Sequence, residues 1–455
     1  MTADRYREPA ELPFEGGYPT AETTRALDEE LFFQRATQVY LWALPAMNMY
    51  AMCKSLGELS GTGYNVMSVF EKRLKPNTLI TTPNSDVIYG LAFADLSRTG
   101  PLVIEAPPRL QALMDDFWHR PLTGPVIDGR RYLGDVGIPG PDHGEGGRYL
   151  LVPEGHEEQV DTRDHYVYTS RTNGVFVFVR GFFTSVKDLS PGVDSVESIT
   201  IRPLRGEAVP MVFPHVSDVP ANALFPVDGT YFDLLEEFVQ KERVDAVDPY
   251  MHGMLAALGI AKGKPFRPTA RQRELLDLAA RTGRRMAKNI AAGRDGADKA
   301  HTDVDAKAHM FINHYSISTG MITSIVGMGA KYGNAYKDAD GDHLRGEHVY
   351  RIDLPPDPPA SLFWSVTVYD ADTAGGVDAP GQVYPSLNGM NDLDRNDDGS
   401  ITLYVGPEPP EGAKNWLRSV PGRGWFSLFR FYGPTREFFE HEYKPGDFHK
   451  VEGAR

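Results

Sequence analysis

The apolar residues of this chain change their spacing three times, and each change restricts what the adjoining segment can fold into. From residue 23 to 56, a charged lead is followed by Leu27, Leu31, Ala36, Tyr40 and Leu44 at roughly helical intervals. Between Thr82 and Leu204 the pattern becomes that of strands. VIYGLAF, PLVIEAP, RYLLVP, VFVFVRGFF and SVESITIRPL are short apolar or alternating runs separated by turn residues. Helical spacing returns from Gly229 to Gly333. After Tyr336 the strand-like runs VYRIDLP, SLFWSVTVYD, SITLYVGP and WFSLFRFYGP follow one another across proline-rich turns. The order is therefore helix, β-region, helices, β-region, and closely spaced strands with such turns suggest a sandwich or a jelly roll. VFVFVRGFF is apolar on both faces, which places it inside a sheet rather than at an edge.

Two helices can be read in more detail. Thr269 and Gln272 form a capping box in front of Leu275, Ala279, Thr282, Met286 and Ile290, with Arg273, Asp277, Arg281 and Lys288 on a solvated face. VYLWALPAMNMYAM, Val39 to Met52, is too short to span a bilayer and contains Pro45 and Asn48, so it reads as a buried, proline-kinked helix.

Charge and cysteine count remove whole classes of function. Lys plus Arg number 47 against 62 Asp plus Glu, a formal net charge of −15, which repels nucleic acid and anionic membrane surfaces. The single cysteine, Cys53, rules out an intramolecular disulfide and a cysteine-rich zinc site, and its apolar helical context suits a small buried hydrophobe. MTADRYREPAELPFEGGYPT at the start has no apolar core of the kind a secretory signal needs, so a cytoplasmic protein is expected. G-x-S-x-G, Walker A and Rossmann signatures are absent, and no organic cofactor is expected. DRNDDGSIT has Asp394, Asn396, Asp398 and Gly399 at the first, third, fifth and sixth positions of a calcium loop, but Val405 stands at the twelfth position, where such a loop has its bidentate glutamate. A hairpin turning at Asp398-Gly399 fits it better, and no metal site is expected.

Three stretches hold candidate functional residues. In TTPNSDVIYG, residues 81 to 90, Asn84 is expected to cap a turn, while Asp86 and Tyr89 border a pocket at the end of a rigid strand. In MDDFWHR, Asp115, Asp116, Trp118 and His119 bring carboxylates, an indole and an imidazole together. Paired carboxylates can divide acid and base roles, although neighbours on a strand face opposite ways. In AHMFINHYSISTGMITSIVGMG, His309 and His314 interrupt an apolar helix and must find partners. Their spacing is not that of a metal-binding HExxH pair.

Longer motifs carry a family resemblance. TTPNSDVIYG, DLSRTGPLVIEAP, DFWHR and GIPGPDHGEGGRYLLVPEG resemble the family called domain of unknown function 1254. YKDADGDHLRGEHVYRIDLP, FWSVTVYDADT, DDGSITLYVGPEPPEGAKNWL and PGRGWFSLFRFYGP resemble its usual partner, domain of unknown function 1214. The resemblance implies a mainly β fold with helices (α+β), in which two jelly-roll-like antiparallel β-sandwiches are joined by a helical segment. The expected division is 1–60 as an N-terminal arm and helix, 61–228 as the first sandwich, 229–335 as a helical connecting region and 336–455 as the second sandwich. The family's Asn-x-Asp-Thr-x-Tyr motif maps onto Asn84, Asp86 and Tyr89, with Val87 where threonine is common. Ala374 stands where relatives often have arginine, and relatives are often exported.

These readings lead to an expected enzyme, a hydrolase or lyase acting without an organic cofactor on a small organic or glycan-like substrate in a cleft between the sandwiches and helices. Asp86, Asp116 and His119 are its expected catalytic residues, and Asn84, Tyr89, Trp118, His309 and His314 are expected to bind the substrate. The competing expectation is a non-catalytic carbohydrate-binding or assembly protein presenting Trp364, Trp416 and Trp425. Neither expects nucleic acid or membrane as a partner, and both leave room for a homo-oligomer.

Overall fold

The structure, a computed structural model, describes residues 4–156, 163–293, 303–313, 325–441 and 443–451. The chain is mixed α+β and forms two compact units, one of Met1–Tyr50 with Phe225–Ile312 and one of Ala51–Leu224 with Asn313–Arg455. Among the described residues no helix is long and apolar enough to cross a membrane.

The first unit is helical. Ala21–Ser60 is a single helix that continues through Pro45, with its residues up to Tyr50 in this unit, which also holds Tyr231–Lys241, Pro249–Ala257, Ala270–Ala291 and, up to Ile312, the helix Val304–Asn313. Both arms of the Thr269–Gln272 capping box form, satisfying two of the amide donors left over at that helix start. The buried face is rotated from the expected one. Leu275, Ala279, Gly283, Ala287 and Ala291 are buried, whereas Met286 is 45% exposed. The reason is a close approach: a Cβ on Gly283 would strike the ring of Tyr40, so the helix packs through its small residues. Tyr231 fixes the same region by donating from its hydroxyl to the Tyr40 carbonyl at 2.8 Å.

The second unit holds the β-structure. A five-stranded sheet has the order Asp135–Gly137, Gln111–Asp116, Gly174–Gly181, Ile88–Asp95, Met67–Phe70. Gly174–Gly181, from the VFVFVRGFF run, is its central strand and is buried at every position. A six-stranded sheet shares one apolar core with it, formed by residues such as Ile88, Ala92 and Val177 from the first sheet and Ile104, Tyr149 and Leu151 from the second. The pairing is not wholly antiparallel, since Tyr149–Pro153 runs parallel to Tyr166–Ser170, and Tyr404–Gly406 parallel to Trp416–Arg418.

Three segments depart from the sequence pattern. SVESITIRPL begins inside a helix, Ser190–Glu197, and only Thr200–Pro203 is strand. That helix lies against the sheet where Gly181 meets Gly192, with no room for a Cβ on Gly181. Gly90 receives the Val196 and Met67 side chains, which answers why the strand has a glycine there. Ala330–Ala335, at the end of the stretch read as helical, is a strand paired with Trp425–Pro434. Asp398-Gly399 does make a turn, Gly399 at φ 84° and Asp398 accepting from the Ser400 amide at 2.9 Å. It introduces Ile401–Gly406 without forming a hairpin, because the strand before it, Ser386–Asn388, belongs to another sheet.

The C-terminal β-region contains two four-stranded sheets around a shared core of Trp364, Val366, Phe429, Phe431, Ile352 and Leu403. One sheet has the order Ala330–Ala335, Trp425–Pro434, Ala360–Asp370, Ser386–Asn388. Its other face is polar, yet also buried. Register aligns Tyr332, Arg430, Ser365 and Asn388 in one row across four strands. Arg430 is 3% exposed, and Ser365 and Asn388 are not exposed at all. A polar row under cover must meet partners, and Arg430 and Asn388 find theirs in part in the Thr82 carbonyl and the Asp86 carboxylate.

Candidate functional site

Residues 82 to 89 cross the polar face of that sheet. Asn84 Oδ1 accepts the Asp86 amide at 2.9 Å, which is the turn expected from the sequence. Its Nδ2 donates to the Tyr432 hydroxyl at 2.9 Å, and its own amide donates to the Tyr89 hydroxyl at 3.1 Å. Backbone carbonyls are used as well. Thr82 O accepts from Arg430 Nη2 at 3.0 Å and Pro83 O from the Tyr369 hydroxyl at 2.6 Å.

The Asp86 carboxylate is not consumed by local backbone amides. Its Oδ1 accepts from Arg73 Nη2 at 2.6 Å, Asn388 Nδ2 at 2.6 Å and Ser386 Oγ at 3.3 Å. The side chain is fully buried, and among the described residues Oδ2 accepts no hydrogen bond. Ser365 Oγ, on the neighbouring strand to Asn388, is likewise without a partner among the described residues.

Arg430 lies among tyrosines. Its Nη1 donates to Thr367 Oγ1 at 3.1 Å, and its guanidinium carbon is 5.5 Å from the Tyr369 ring centre and 5.9 Å from that of Tyr332. Burial disfavours the Arg430 charge, but Tyr369, Tyr432, Tyr89 and Tyr332 more than offset this and hold it protonated above the usual arginine range. Burial pushes the Tyr369 hydroxyl up to about 12, against the pull of Arg430. The cluster fixes the crossing segment in place.

Beside this network opens a pocket of about 350 Å³ lined by Arg73, Gln382, Tyr384, Ser386, Trp416 and Arg418 among others. Arg73 is stacked over the Tyr384 ring at 4.0 Å, and Arg418 lies over the Trp416 ring at 5.0 Å. Asp86, Ser386 and the Ser85 carbonyl occupy Nη2 and Nε of Arg73, and Nη1 has no partner among the described residues. Arg418 receives support from Gln382, whose Oε1 accepts its amide at 2.6 Å, and it reaches the exposed Glu408 at 3.5 Å. Among the described residues the pocket wall contains no carboxylate, amine, thiol or imidazole.

The other expected residues lie elsewhere. Asp116 pairs in register with Val175 and so lies level with Ala94, whereas Gly181 lies level with Ile88. The distance along the strand from Ala94 back to Ile88 is about 20 Å at ~3.3 Å per residue. Asp116 and Asp86 are thus at opposite ends of the sheet, and they do not form a carboxylate pair. Asp116 brackets a turn, accepting the Trp118 amide at 2.8 Å, the Arg120 amide at 3.0 Å and Arg120 Nε at 2.6 Å. Burial pushes its carboxyl up, and Arg120 opposes the shift. Asp115 and His119 are fully buried, with Nδ1 and Oδ2 4.0 Å apart, and Trp118 is buried beside them. His309 is buried in the helical unit, and His314 lies outside the described residues. Trp364 and Trp425 are buried, so neither is an exposed platform, and Trp416 alone of the three is half-buried at the pocket.

Arg73, Ser386, Asn388, Arg418 and Arg430 were not among the residues expected from the sequence. A signal existed for one of them: Arg430 stands inside an otherwise apolar strand, WFSLFRFYGP, where a guanidinium must be paired or stacked.

Residues 64–203 match the family model described as Protein of unknown function (DUF1254), and residues 329–436 match that described as Protein of unknown function (DUF1214). The chain carries both domains, in that order. The DUF1254 domain supplies Arg73, Asn84, Asp86 and Tyr89, and the DUF1214 domain supplies Tyr384, Ser386, Asn388, Trp416, Arg418 and Arg430. The fold is similar to the crystal structure of the VPA0106 protein from Vibrio parahaemolyticus, at a TM-score of 0.56 and 16% identity, covering 92% of this chain and 100% of that one. An uncharacterized protein from Burkholderia cenocepacia aligns over 94% of this chain and 96% of its own, at 14% identity and a TM-score of 0.43. Comparison with curated proteins gives no match.

Proposed function

We propose that the DUF1254–DUF1214 pair recognises a small organic anion, such as a carboxylated sugar, in the pocket between Arg73 and Arg418. One observation carries this reading: two guanidiniums, each stacked on an aromatic ring, line a pocket whose wall has no acidic group among the described residues. Stacking orders the arginines in advance, which reduces what a ligand must spend in side-chain entropy, and guanidinium geometry suits a carboxylate. Asp86 acts behind the pocket by holding Arg73 in position. Local cationic chemistry is needed because the chain as a whole carries −15. In the same reading each pair of sheets around its shared core is a jelly-roll-like sandwich.

Hydrolase or lyase chemistry is the second reading, and it is favoured by the buried Asp86 Oδ2, which accepts no hydrogen bond among the described residues and so is open to a donor group of a substrate. The two readings separate by calorimetric titration with glucuronate and glucose, together with product analysis. Recognition predicts glucuronate binding at least tenfold tighter than glucose, loss of that preference in Arg418→Gln, and an unchanged ligand recovered afterwards. Equal affinity for both sugars, or a preference that survives Arg418→Gln, overturns it. Turnover by the parent that is abolished in Asp86→Asn, with the variant shown to be folded by circular dichroism under the assay conditions, establishes the enzymatic reading instead.

A further inference from the structure

A second pocket, of about 270 Å³, lies in the same unit but shares no lining residue with the first. Leu79, Val377 and Val420 give it an apolar wall, while Asp370, Asp378 and Arg423 supply its charged groups. Trp425 also lines it. That indole is 3% exposed, and its Nε1 donor has no hydrogen-bond partner among the described residues. A buried donor left unpaired is costly, so an acceptor that reaches it from the pocket gains a hydrogen bond.

The charged groups decide what kind of acceptor it is. Asp370 is already occupied, its Oδ1 accepting the Asp372 amide at 3.0 Å and the Thr373 amide at 2.9 Å, and its Oδ2 lying 2.7 Å from Arg423 Nε. That ion pair neutralises itself. The exposed Asp378 remains, and its negative charge disfavours a carboxylate ligand. A dry cavity of about 150 Å³ is enough to hold benzene, so a six-membered ring is of suitable size here.

We infer that this pocket is a second small-molecule site, for an uncharged molecule with an apolar body and a carbonyl or similar acceptor that pairs with the Trp425 indole. It differs from the arginine pocket in the charged groups that line it as well as in position, so the two sites select different chemistry.

The test is NMR of protein labelled with ¹⁵N at its tryptophan indoles, titrated with cyclohexanone and with cyclohexanecarboxylate, with Trp425→Phe identifying the resonance. Cyclohexanone is expected to move the Trp425 indole signal downfield to saturation while the carboxylate binds at least tenfold more weakly. Asp378→Asn, at an exposed position that leaves folding intact, is expected to narrow that gap. An unmoved Trp425 signal, equal response to both probes, or a carboxylate preference overturns the inference. So does unchanged cyclohexanone affinity in folded Trp425→Phe, which would show that the indole donor plays no part.

Discussion

Asp86 takes its three donors from Arg73, Ser386 and Asn388, two of which are some 300 positions further along the chain. Removing its charge leaves the Arg73 guanidinium buried without its counter-ion. Asp86→Asn is therefore expected to lower unfolding free energy by about 3–5 kcal/mol in urea denaturation, with the double replacement Asp86→Leu, Arg73→Met recovering much of the loss. A single variant within experimental error of the parent would contradict this. Tyr369 gives a pH prediction. Its folded value of about 12 lies above the ordinary 10, so the folded state holds this proton more tightly. The associated stability is fully present below pH 10 and is lost as pH rises from 10 through 12. Stability curves over that window should be steeper for the parent than for Tyr369→Phe. At this scale the Asn84 turn was legible because Asx capping acts within two residues. The partners of Asp86 were not, because side-chain pairing between distant strands leaves no local pattern.

Secondary structure follows the sequence most closely where one spacing persists. The Thr269 box and the central strand Gly174–Gly181 are such cases, and Thr269→Ala should cost about 1 kcal/mol of helix stability by chemical denaturation. Where contacts between elements decide, the pattern is less informative. The helix face against Tyr40 was displaced because a glycine and alanines permit closer approach than Met286 does, and hydrophobicity alone ranks methionine higher. The last residues of the Ser190–Glu197 helix, Ser195 to Glu197, fall in the SVESITIRPL run expected to be strand, because that run is short and valine-containing. The position of the helix is set by the Gly181–Gly192 contact. Gly181→Ala is expected to destabilise by about 1–3 kcal/mol or more, since the added methyl overlaps the Gly192 carbonyl. Thermal unfolding unaffected by this change would rule out the close contact.

At the level of the whole molecule, the alternation of helical and strand spacing was enough to anticipate a mixed α+β chain, and the long motifs to anticipate its two domains. The pocket was not legible, because its wall is assembled from residue 73 and residues 380 to 418, and only folding brings them together. The central claim is that this assembly recognises an anion through two stacked arginines. A crystal structure of the full chain grown with glucuronate tests it most directly. The ligand's carboxylate is expected within hydrogen-bond distance of Arg73 Nη1 or the Arg418 guanidinium, with Asp86 still bound to Arg73 Nη2. Ligand density elsewhere, with the arginine pocket holding solvent alone at saturating glucuronate, would contradict it.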